Sequence, residues 1–254
     1  MSINELKEGE KFALLYGIML GDGCLSYCIS NRKEYHFISV TGNYYSDRPF
    51  FEEVVIPLFV HFRGKQIPLK EKPKYGAIEL NFCDEEFFNK MHKAGFPIGE
   101  KGIDIQLPIS FQKNNLKKYI VQGFLATDGC LSITKNNNYF YPRVVIRTTH
   151  KDLMLVLYRY LRSLGLTGNF HSAKPRPRKG WRSKRQNYYF QFHGVNNLRL
   201  FQNLIGFVNS KHQKKYEGFL KYHKQYEKMR REVPINLQKK ERELINKEYV
   251  SGVI

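Results

Sequence analysis

The chain has few of the features that mark secreted, membrane or disordered proteins. It contains four cysteines and one tryptophan in 254 residues, and no apolar run approaches the roughly 18 to 20 residues of a membrane-spanning helix. The N-terminus, MSINELKEGEKF, is polar and does not resemble a signal or transit peptide. A hydrophobic content of 42% excludes wholesale disorder and allows one large domain or two of about 100 to 150 residues. We therefore expect an intracellular protein in a reducing compartment, not a secreted one.

Two of the cysteines, Cys24 and Cys28, stand close enough in sequence to suggest a zinc knuckle. The CxxxC pair is not followed by a second pair of cysteines or histidines at the spacing found in zinc fingers. Structural zinc is therefore a weak alternative, and reduced thiols are expected.

Positive charge is in large excess and is unevenly distributed. The net charge is +19, and residues 1–105 hold 13 basic and 15 acidic residues whereas residues 106–254 hold 29 and 8. Such an excess is typical of proteins that bind a polyanion, most often nucleic acid. A solvated basic face is the alternative, but the concentration of charge in one half favours a binding surface.

Two segments repeat each other at a constant offset of 106 residues. LLYGIMLGDGCLSY (14–27) aligns without a gap to IVQGFLATDGCLSI (120–133). The identical positions are Gly17/Gly123, Asp22/Asp128, Gly23/Gly129, Cys24/Cys130, Leu25/Leu131 and Ser26/Ser132. Unrelated apolar helices do not usually share a run such as DGCLS, so the repeat indicates two similar halves.

Each copy opens the same succession of predicted elements, αββαββα. The predicted strands alternate apolar and polar residues, which is typical of antiparallel sheets with one face on a core. We predict an α+β protein of two pseudo-symmetric halves packed through the repeated helices. The predicted divisions are an N-terminal half (1–101), a linker (102–113), a C-terminal half with an extra charged helix (114–232) and a weakly structured tail (233–254).

The repeated helices have a physical consequence at their C-terminal ends. A glycine inside a helix costs about 1 kcal/mol relative to alanine, and Gly17 and Gly123 both carry this cost. A small residue there lets a second helix approach closely, so the two helices are expected to pack side by side. Asp22 and Asp128 would then meet and repel each other unless a cation lies between them, and Mg²⁺ prefers such carboxylate oxygens. Either Asp-Gly alone indicates only a turn, whereas the pair indicates a metal-binding site.

At these residues the sequence resembles the LAGLIDADG homing endonucleases, in the windows Leu15–Gly23 and Val121–Gly129. Both windows depart from the consensus but keep the central glycine, the apolar face and the final Asp-Gly. The resemblance implies a monomer whose antiparallel sheets form a saddle on double-stranded DNA. It implies metal binding by Asp22 and Asp128, aided by the carbonyls of Gly21 and Thr127. It further implies two or three divalent ions, Mg²⁺ or a substitute such as Mn²⁺ or Ca²⁺, and cleavage of a long pseudo-palindromic or asymmetric site with short 3′ overhangs.

The family also tends to place a basic residue near the metals. Lys101 and Lys211 each follow a Gly-Phe and lie 110 residues apart, so the resemblance implies a catalytic role for both. A nearby ammonium stabilises charge that develops on phosphate. The alternative is a pair of ordinary surface lysines. Asn43 and Thr149 are weaker candidates for holding the hydrolytic water.

Strand alternation and local charge select the residues expected to face DNA. In the first half these are Ser26, Cys28, Ser30, Arg32, Tyr35, Phe37, Ser39, Lys70 and Lys72. In the second half they are Ser132, Thr134, Asn136, Asn138, Arg143, Arg147, Asn187, Tyr189 and Gln191. Arginine and asparagine can read base edges bidentately.

The densest basic run is expected to contact phosphates from a long hairpin loop. Its candidates are Lys174, Arg176, Arg178, Lys179, Arg182, Lys184 and Arg185. A disordered basic loop and a nuclear-localisation signal are the alternatives. With Gly21 before one aspartate and Thr127 before the other, we expect an asymmetric site in which the C-terminal half dominates phosphate affinity.

The sequence therefore favours a metal-dependent, site-specific DNA endonuclease, intron-encoded or free-standing. The alternative from another class is an intron-RNA maturase or a DNA-binding regulator on the same scaffold, with intron RNA as a possible partner. The presence of both aspartates counts against loss of catalysis. A structural RNA-binding protein is disfavoured because RNP-like aromatic motifs are absent.

Overall fold

The computed structural model describes residues 3–102, 105–174 and 185–253. A π-helical turn, Phe51–Val55, joins the helices Arg48–Phe50 and Ile56–Arg63. The elements run in the order α1 (Glu8–Asp22), β1 (Gly23–Ser30), β2 (Lys33–Asn43), α2 (Arg48–Phe50), α3 (Ile56–Arg63), β3 (Lys70–Lys72), β4 (Ala77–Cys83), α4 (Glu85–Lys93), α5 (Asn114–Asp128), β5 (Gly129–Asn136), β6 (Tyr139–Thr148), α6 (Lys151–Ser163), β7 (Gly168–Ala173), β8 (Asn187–His193), α7 (Gly194–Leu204), α8 (Ser210–Glu232) and α9 (Gln238–Val253). The predicted αββαββα order is confirmed in both halves. None of the helices in these ranges has the length and apolarity to cross a bilayer.

Each half contains one four-stranded antiparallel sheet. The strand orders are β1-β2-β4-β3 and β5-β6-β8-β7, so the two sheets have the same topology. On one face, Ile38 and Val40 of β2 and Ile78 and Leu80 of β4 are buried against the helices. Val144, Ile146, Phe190 and Phe192 occupy the same face of the second sheet and are also buried. The opposite face of each sheet carries the polar residues, as the alternation predicts.

The two halves join through α1 and α5, which pack backbone against backbone. A Cβ placed on Gly17 would overlap the carbonyl oxygen of Ile120, and a Cβ on Gly123 would overlap that of Leu14. The mid-helix glycines are therefore required by the close approach of the two helices. Both helices end at their aspartate, because the next residue, Gly23 or Gly129, is extended and begins a strand.

The tips of the hairpins β1–β2 and β5–β6 are two-residue turns. Asn31 and Arg32 have φ values of 51° and 62°, and Asn137 and Asn138 have values of 46° and 60°. Positive φ at both central residues is the requirement of a type I′ turn. The expectation that Arg32 and Asn138 continue the strands is therefore wrong: they lie in the turns.

The C-terminal residues differ from the weakly structured tail that the sequence led us to expect. Residues 238–253 form α9, which packs along α8. Ile245, Asn246 and Tyr249 are buried. The Tyr249 ring lies 4.8 Å from that of Phe140, and the Asn246 amide donates to the carbonyl of Asn138 at 3.1 Å. The pair α8–α9 thus supports the β5–β6 hairpin.

Candidate active site and nucleic-acid interface

Asp22 and Asp128 end the two motif helices where those helices touch. A Cβ on Gly21 would overlap the side chain of Thr127 and lie 3.3 Å from the main-chain nitrogen of Asp128. Both aspartates are exposed on one side and have protein on the others. The structure therefore brings the two predicted carboxylates to the same place, one from each half.

The electrostatic environment of the two carboxylates disfavours their charged forms. Burial, followed by repulsion from Asp128, raises the pKa of Asp22 to about 6. Burial also raises the pKa of Asp128 above its ordinary value, although Lys101 opposes this. A divalent cation between the carboxylates would relieve the repulsion.

Lys101 is held at the C-terminal end of the first motif helix. Its Nζ donates to the carbonyl oxygen of Leu20 at 2.8 Å and also to that of Gly21. Burial lowers its pKa, and the charges of Asp128 and Asp22 oppose this shift. The structure thus places the Lys101 ammonium beside both carboxylates.

Lys211 has a different partner, which the sequence had not indicated. Its Nζ donates to Oδ1 of Asp47 at 2.7 Å, across the boundary between the halves. Asp47 is buried just before α2. Burial alone would raise the pKa of Asp47, but hydrogen bonds from Lys211 and from the main-chain N–H of Asn43 outweigh it and hold the pKa below its ordinary value. A third carboxylate therefore belongs to this region.

Asn209 connects this ion pair to the second motif helix. Its Nδ2 donates to Oδ1 of Asp47 at 3.2 Å and to the carbonyl oxygen of Ala126 at 2.9 Å. Its Oδ1 accepts from the main-chain N–H of Lys211 at 3.1 Å and so caps α8. Asn209 is fully buried.

The two candidates for holding water, Asn43 and Thr149, lie at the ends of equivalent strands. Oδ1 of Asn43 accepts from the main-chain N–H groups of Tyr45 at 2.9 Å and Ser46 at 3.1 Å. Asn43 therefore shapes the turn before α2 through its side-chain oxygen, as asparagine commonly does. Thr149 lies just beyond β6 and is half-buried.

The donor set at the helix ends suits a hard divalent cation. Two carboxylates meet there, and the Gly21 carbonyl points to the same region, where it accepts from Lys101. Mg²⁺ is bound through one or two carboxylates and keeps several waters and substrate oxygens. In the part of the chain that the structure describes, no three His, Cys, Asp or Glu side chains gather into a complete metal set. The residues therefore fit Mg²⁺ or a similar ion that takes its remaining ligands from water and phosphate.

The exposed face of the first sheet carries most of the predicted DNA-facing residues. Ser26 pairs with Phe37, Cys28 with Tyr35 and Cys24 with Ser39, so these side chains share one face. Strand register adds Asn81, opposite Ser39, and Glu79, opposite Thr41. These β4 residues were missed, although their alternation with Ile78 and Leu80 could have identified them. Lys72 forms an ion pair with Glu79, and Lys70 pairs with the same glutamate in register.

The exposed face of the second sheet carries another set of the residues selected from the sequence. Ser132 lies opposite Arg143 and Thr134 opposite Tyr141. Arg147 lies opposite Tyr189, with its guanidinium 4.9 Å from the tyrosine ring centre. The predicted Asn136, Asn187 and Gln191 share this face. Register adds Asn169, His171 and His193, which were missed.

Only the ends of the basic run lie within the described residues. Lys174 follows β7, and Arg185 forms an ion pair with Glu100 at 2.6 Å and donates to the carbonyl of Lys101 at 3.3 Å. The predictions for Arg176, Arg178, Lys179, Arg182 and Lys184 lie outside the described residues.

Known proteins resemble the chain in sequence and in fold. A family model described as a LAGLIDADG-like domain matches residues 115–206. The uncharacterized protein MJ0314 of Methanocaldococcus jannaschii is 25% identical over 171 residues. That match covers 66% of this chain and 60% of the relative's own length.

Solved structures share the fold of both halves. A mutant of I-SmaMI has a TM-score of 0.61 at 12% identity, covering 94% of this chain and 98% of that one. Variants of the homing endonuclease I-DmoI have a TM-score of 0.54 at 14% identity, covering 78% and 90%. The LAGLIDADG meganuclease I-AabMI has a TM-score of 0.54 at 14% identity, covering 94% and 95%. A LAGLIDADG-like domain therefore matches part of the second half of this chain in sequence, and the solved structures share the fold of both halves.

Proposed function

We propose that this protein is a site-specific DNA endonuclease that hydrolyses one phosphodiester bond in each strand of a duplex. The observation that carries the proposal is the meeting of Asp22 and Asp128 at the ends of two touching helices. The repulsion between the two carboxylates is unfavourable for folding, and a bound cation would offset it.

The residues at the ends of the motif helices would have separate roles in phosphodiester hydrolysis. Asp22 and Asp128 would hold two or three Mg²⁺ ions together with the carbonyls of Gly21 and Thr127. Bound Mg²⁺ supplies an activated water and stabilises the leaving oxygen in phosphodiester hydrolysis. Lys101 adds a positive charge beside both carboxylates, where charge develops on the phosphate.

The rest of the molecule supplies a binding surface for the proposed substrate. Two similar sheets expose their polar faces, and the second half carries most of the excess positive charge. Because one chain holds both motif helices, a monomer would present two half-sites to a long, asymmetric or pseudo-palindromic target. We propose short 3′ overhangs as the product.

Related structures support this choice of substrate and metal. I-AabMI has been solved bound to uncleaved DNA, and I-DmoI in complex with DNA and Ca or Mn. A variant of I-DmoI has been solved with its target DNA in the presence of Mg. These are properties of those proteins, at 13–15% identity to this chain, and they come to this chain as part of the proposal.

A cleavage selection tests the proposal directly. The protein is incubated with a randomised duplex library and Mg²⁺, and the new ends are sequenced. We expect one preferred site with breaks in both strands and short 3′ overhangs. Asp22→Asn and Asp128→Asn should each abolish double-strand cleavage while specific DNA binding remains measurable.

The matched control for these variants is Asp152→Asn, which makes the same aspartate-to-asparagine change at an exposed position on α6. It should cut like the parent protein. If the parent protein cuts no site while binding RNA tightly, the endonuclease proposal is wrong. If Asp22→Asn cuts normally, the assignment of the metal site is wrong.

A further inference from the structure

Equivalent carbonyl groups of the two motif helices accept hydrogen bonds from different kinds of donor. The 106-residue offset relates Leu20 to Ala126. Each lies in the last turn of its motif helix, two residues before the aspartate. The Leu20 carbonyl accepts from the Lys101 ammonium at 2.8 Å, whereas the Ala126 carbonyl accepts from the neutral amide of Asn209 at 2.9 Å. An amide in one half therefore occupies the place that a cation has in the other.

Lys211, the counterpart of Lys101, donates to the Asp47 carboxylate, whereas Lys101 donates to carbonyl groups of its own motif helix. The carboxylate that holds Lys211 belongs to the other half and is 6% exposed. Asp47 is itself fixed on both oxygens, since Oδ2 accepts from the Asn43 N–H at 2.9 Å and Oδ1 from Asn209 and Lys211. A carboxylate so restrained cannot follow Lys211 toward a phosphate, and the ion pair cancels most of the lysine's charge.

The second half offers Lys101 no equivalent carboxylate at this position. Asp47 is the residue before α2, and the residue at the same place before α6 is His150, which is also buried. The loop from β2 to α2 has four residues (44–47), whereas the loop from β6 to α6 has two (149–150). The asymmetry is therefore built into both the loop and its terminal residue.

We propose that Asp47 is a positioning residue that restrains Lys211 and so makes the two strands of the DNA substrate react at unequal rates. The inference rests on the proposed function. The phosphate beside Lys101 meets a cation already placed at the carboxylates and is cut first. The phosphate beside Lys211 meets a neutralised lysine and is cut second, so a nicked duplex accumulates.

Strand-specific cleavage of an end-labelled target tests this inference. The variants are Asp47→Asn, which keeps the shape but removes the charge, Lys211→Met, and the two combined. Asp47→Asn should speed the slower strand by about tenfold or more, because a single donor to a developing charge changes the rate by up to about 10²–10³-fold. It should leave the faster strand unchanged and reduce the nicked intermediate. The combined variant should lose this gain, because the gain acts through Lys211.

DNA binding provides a second measurement that does not depend on cleavage. In metal-free buffer, freeing Lys211 adds about one phosphate contact, so the slope of log Kd against log salt should steepen by about one for Asp47→Asn. The combined variant should return to the parent slope. Far-UV circular dichroism checks that each variant is folded.

The outcomes separate the inference from the function on which it rests. Proportional slowing of both strands by Asp47→Asn, or a gain that persists without Lys211, overturns the positioning role while leaving the endonuclease intact. An unchanged salt slope in a folded Asp47→Asn protein overturns it as well. A parent protein that cuts no DNA instead overturns the proposed function.

Discussion

Gly123 lies against the Leu14 carbonyl so closely that a single added carbon would overlap it. Gly17 stands in the same relation to Ile120, so the two motif helices approach to backbone contact in both directions. This approach fixes where the helices end relative to each other, and hence where Asp22 and Asp128 lie. The glycines therefore determine the site geometry without belonging to the site.

The first prediction concerns these glycines. Gly17→Ala and Gly123→Ala should each lower the free energy of unfolding by about 1–3 kcal/mol, because overpacking outweighs the roughly 1 kcal/mol that alanine gains in helix propensity. Gly9→Ala is the matched control on α1, since its Cβ would lie 3.8 Å from Leu116 and meet no backbone. It should be neutral or stabilising. Urea unfolding of the three variants measures the difference, and equal effects at all three positions would contradict the packing argument.

The second prediction concerns pH. A carboxyl whose pKa is higher in the folded chain binds more protons when folded, so stability falls as pH rises between the two pKa values. For Asp22 that interval runs from 3.8 to about 6. Metal-free protein should therefore lose stability across this interval through Asp22, Asp22→Asn should remove much of the loss, and Mg²⁺ should raise the melting temperature more above pH 6 than below pH 4.

Asp84 provides a control of opposite sign for the pH experiment. Burial would raise its pKa, but the Phe87 N–H and Arg63 outweigh this and lower it. Asp84 therefore contributes stability above its ordinary pKa that is lost as pH falls, and Asp84→Asn should destabilise the protein at neutral pH. Identical pH profiles for Asp22→Asn and the parent protein would refute the electrostatic account of the site.

The features that the sequence predicted correctly share a local or repeated signal. The αββαββα order follows from alternation and helical spacing, and the helix contact follows from two glycines at matching positions. The faces of β6 and β8 follow from period two alone: Val144 and Phe190 are buried while Arg143 and Gln191 lie on the other face.

The features that the sequence did not reveal depend on distant contacts. Asp47 lies 164 residues from Lys211, and an aspartate before a helix ordinarily indicates only a cap. Whether Arg32 and Asn138 belong to strands or to turns depends on the backbone conformation at the hairpin tips. The alternation of apolar and polar residues does not reveal that conformation. The second helix of the C-terminal pair is polar, and its buried Ile245 and Tyr249, four residues apart, were the signal that identifies its packed face.

The third prediction concerns base recognition by the second sheet. Arg143 lies on the exposed face between Ser132 and His193. Arg143→Ala, made in the Asp22→Asn background to prevent cutting, should weaken specific DNA binding by about 1–3 kcal/mol and relax the preference at one base pair. Arg159→Ala, on the exposed side of α6, removes the same charge away from the sheet face and should have little effect. Equal weakening by both variants on all sequences would show that Arg143 contributes only general charge.

The fourth prediction concerns the C-terminal helix that supports the β5–β6 hairpin. Tyr249 packs between Phe140 and Tyr222, with both ring centres 4.8 Å away, whereas its neighbour Val250 is 42% exposed. Tyr249→Ala should lower the free energy of unfolding by about 3 kcal/mol, in the range of buried aromatic truncations, and Val250→Ala by no more than about 0.5 kcal/mol. Phe140 and Asn138 belong to the β5–β6 hairpin and both contact this helix. Loosening the helix should therefore weaken the DNA contacts of the β5–β6 hairpin more than those of the β1–β2 hairpin. A protein lacking residues 238–254 that melts at the parent temperature would show instead that the helix is an appendage, and that the hairpin holds its position without it.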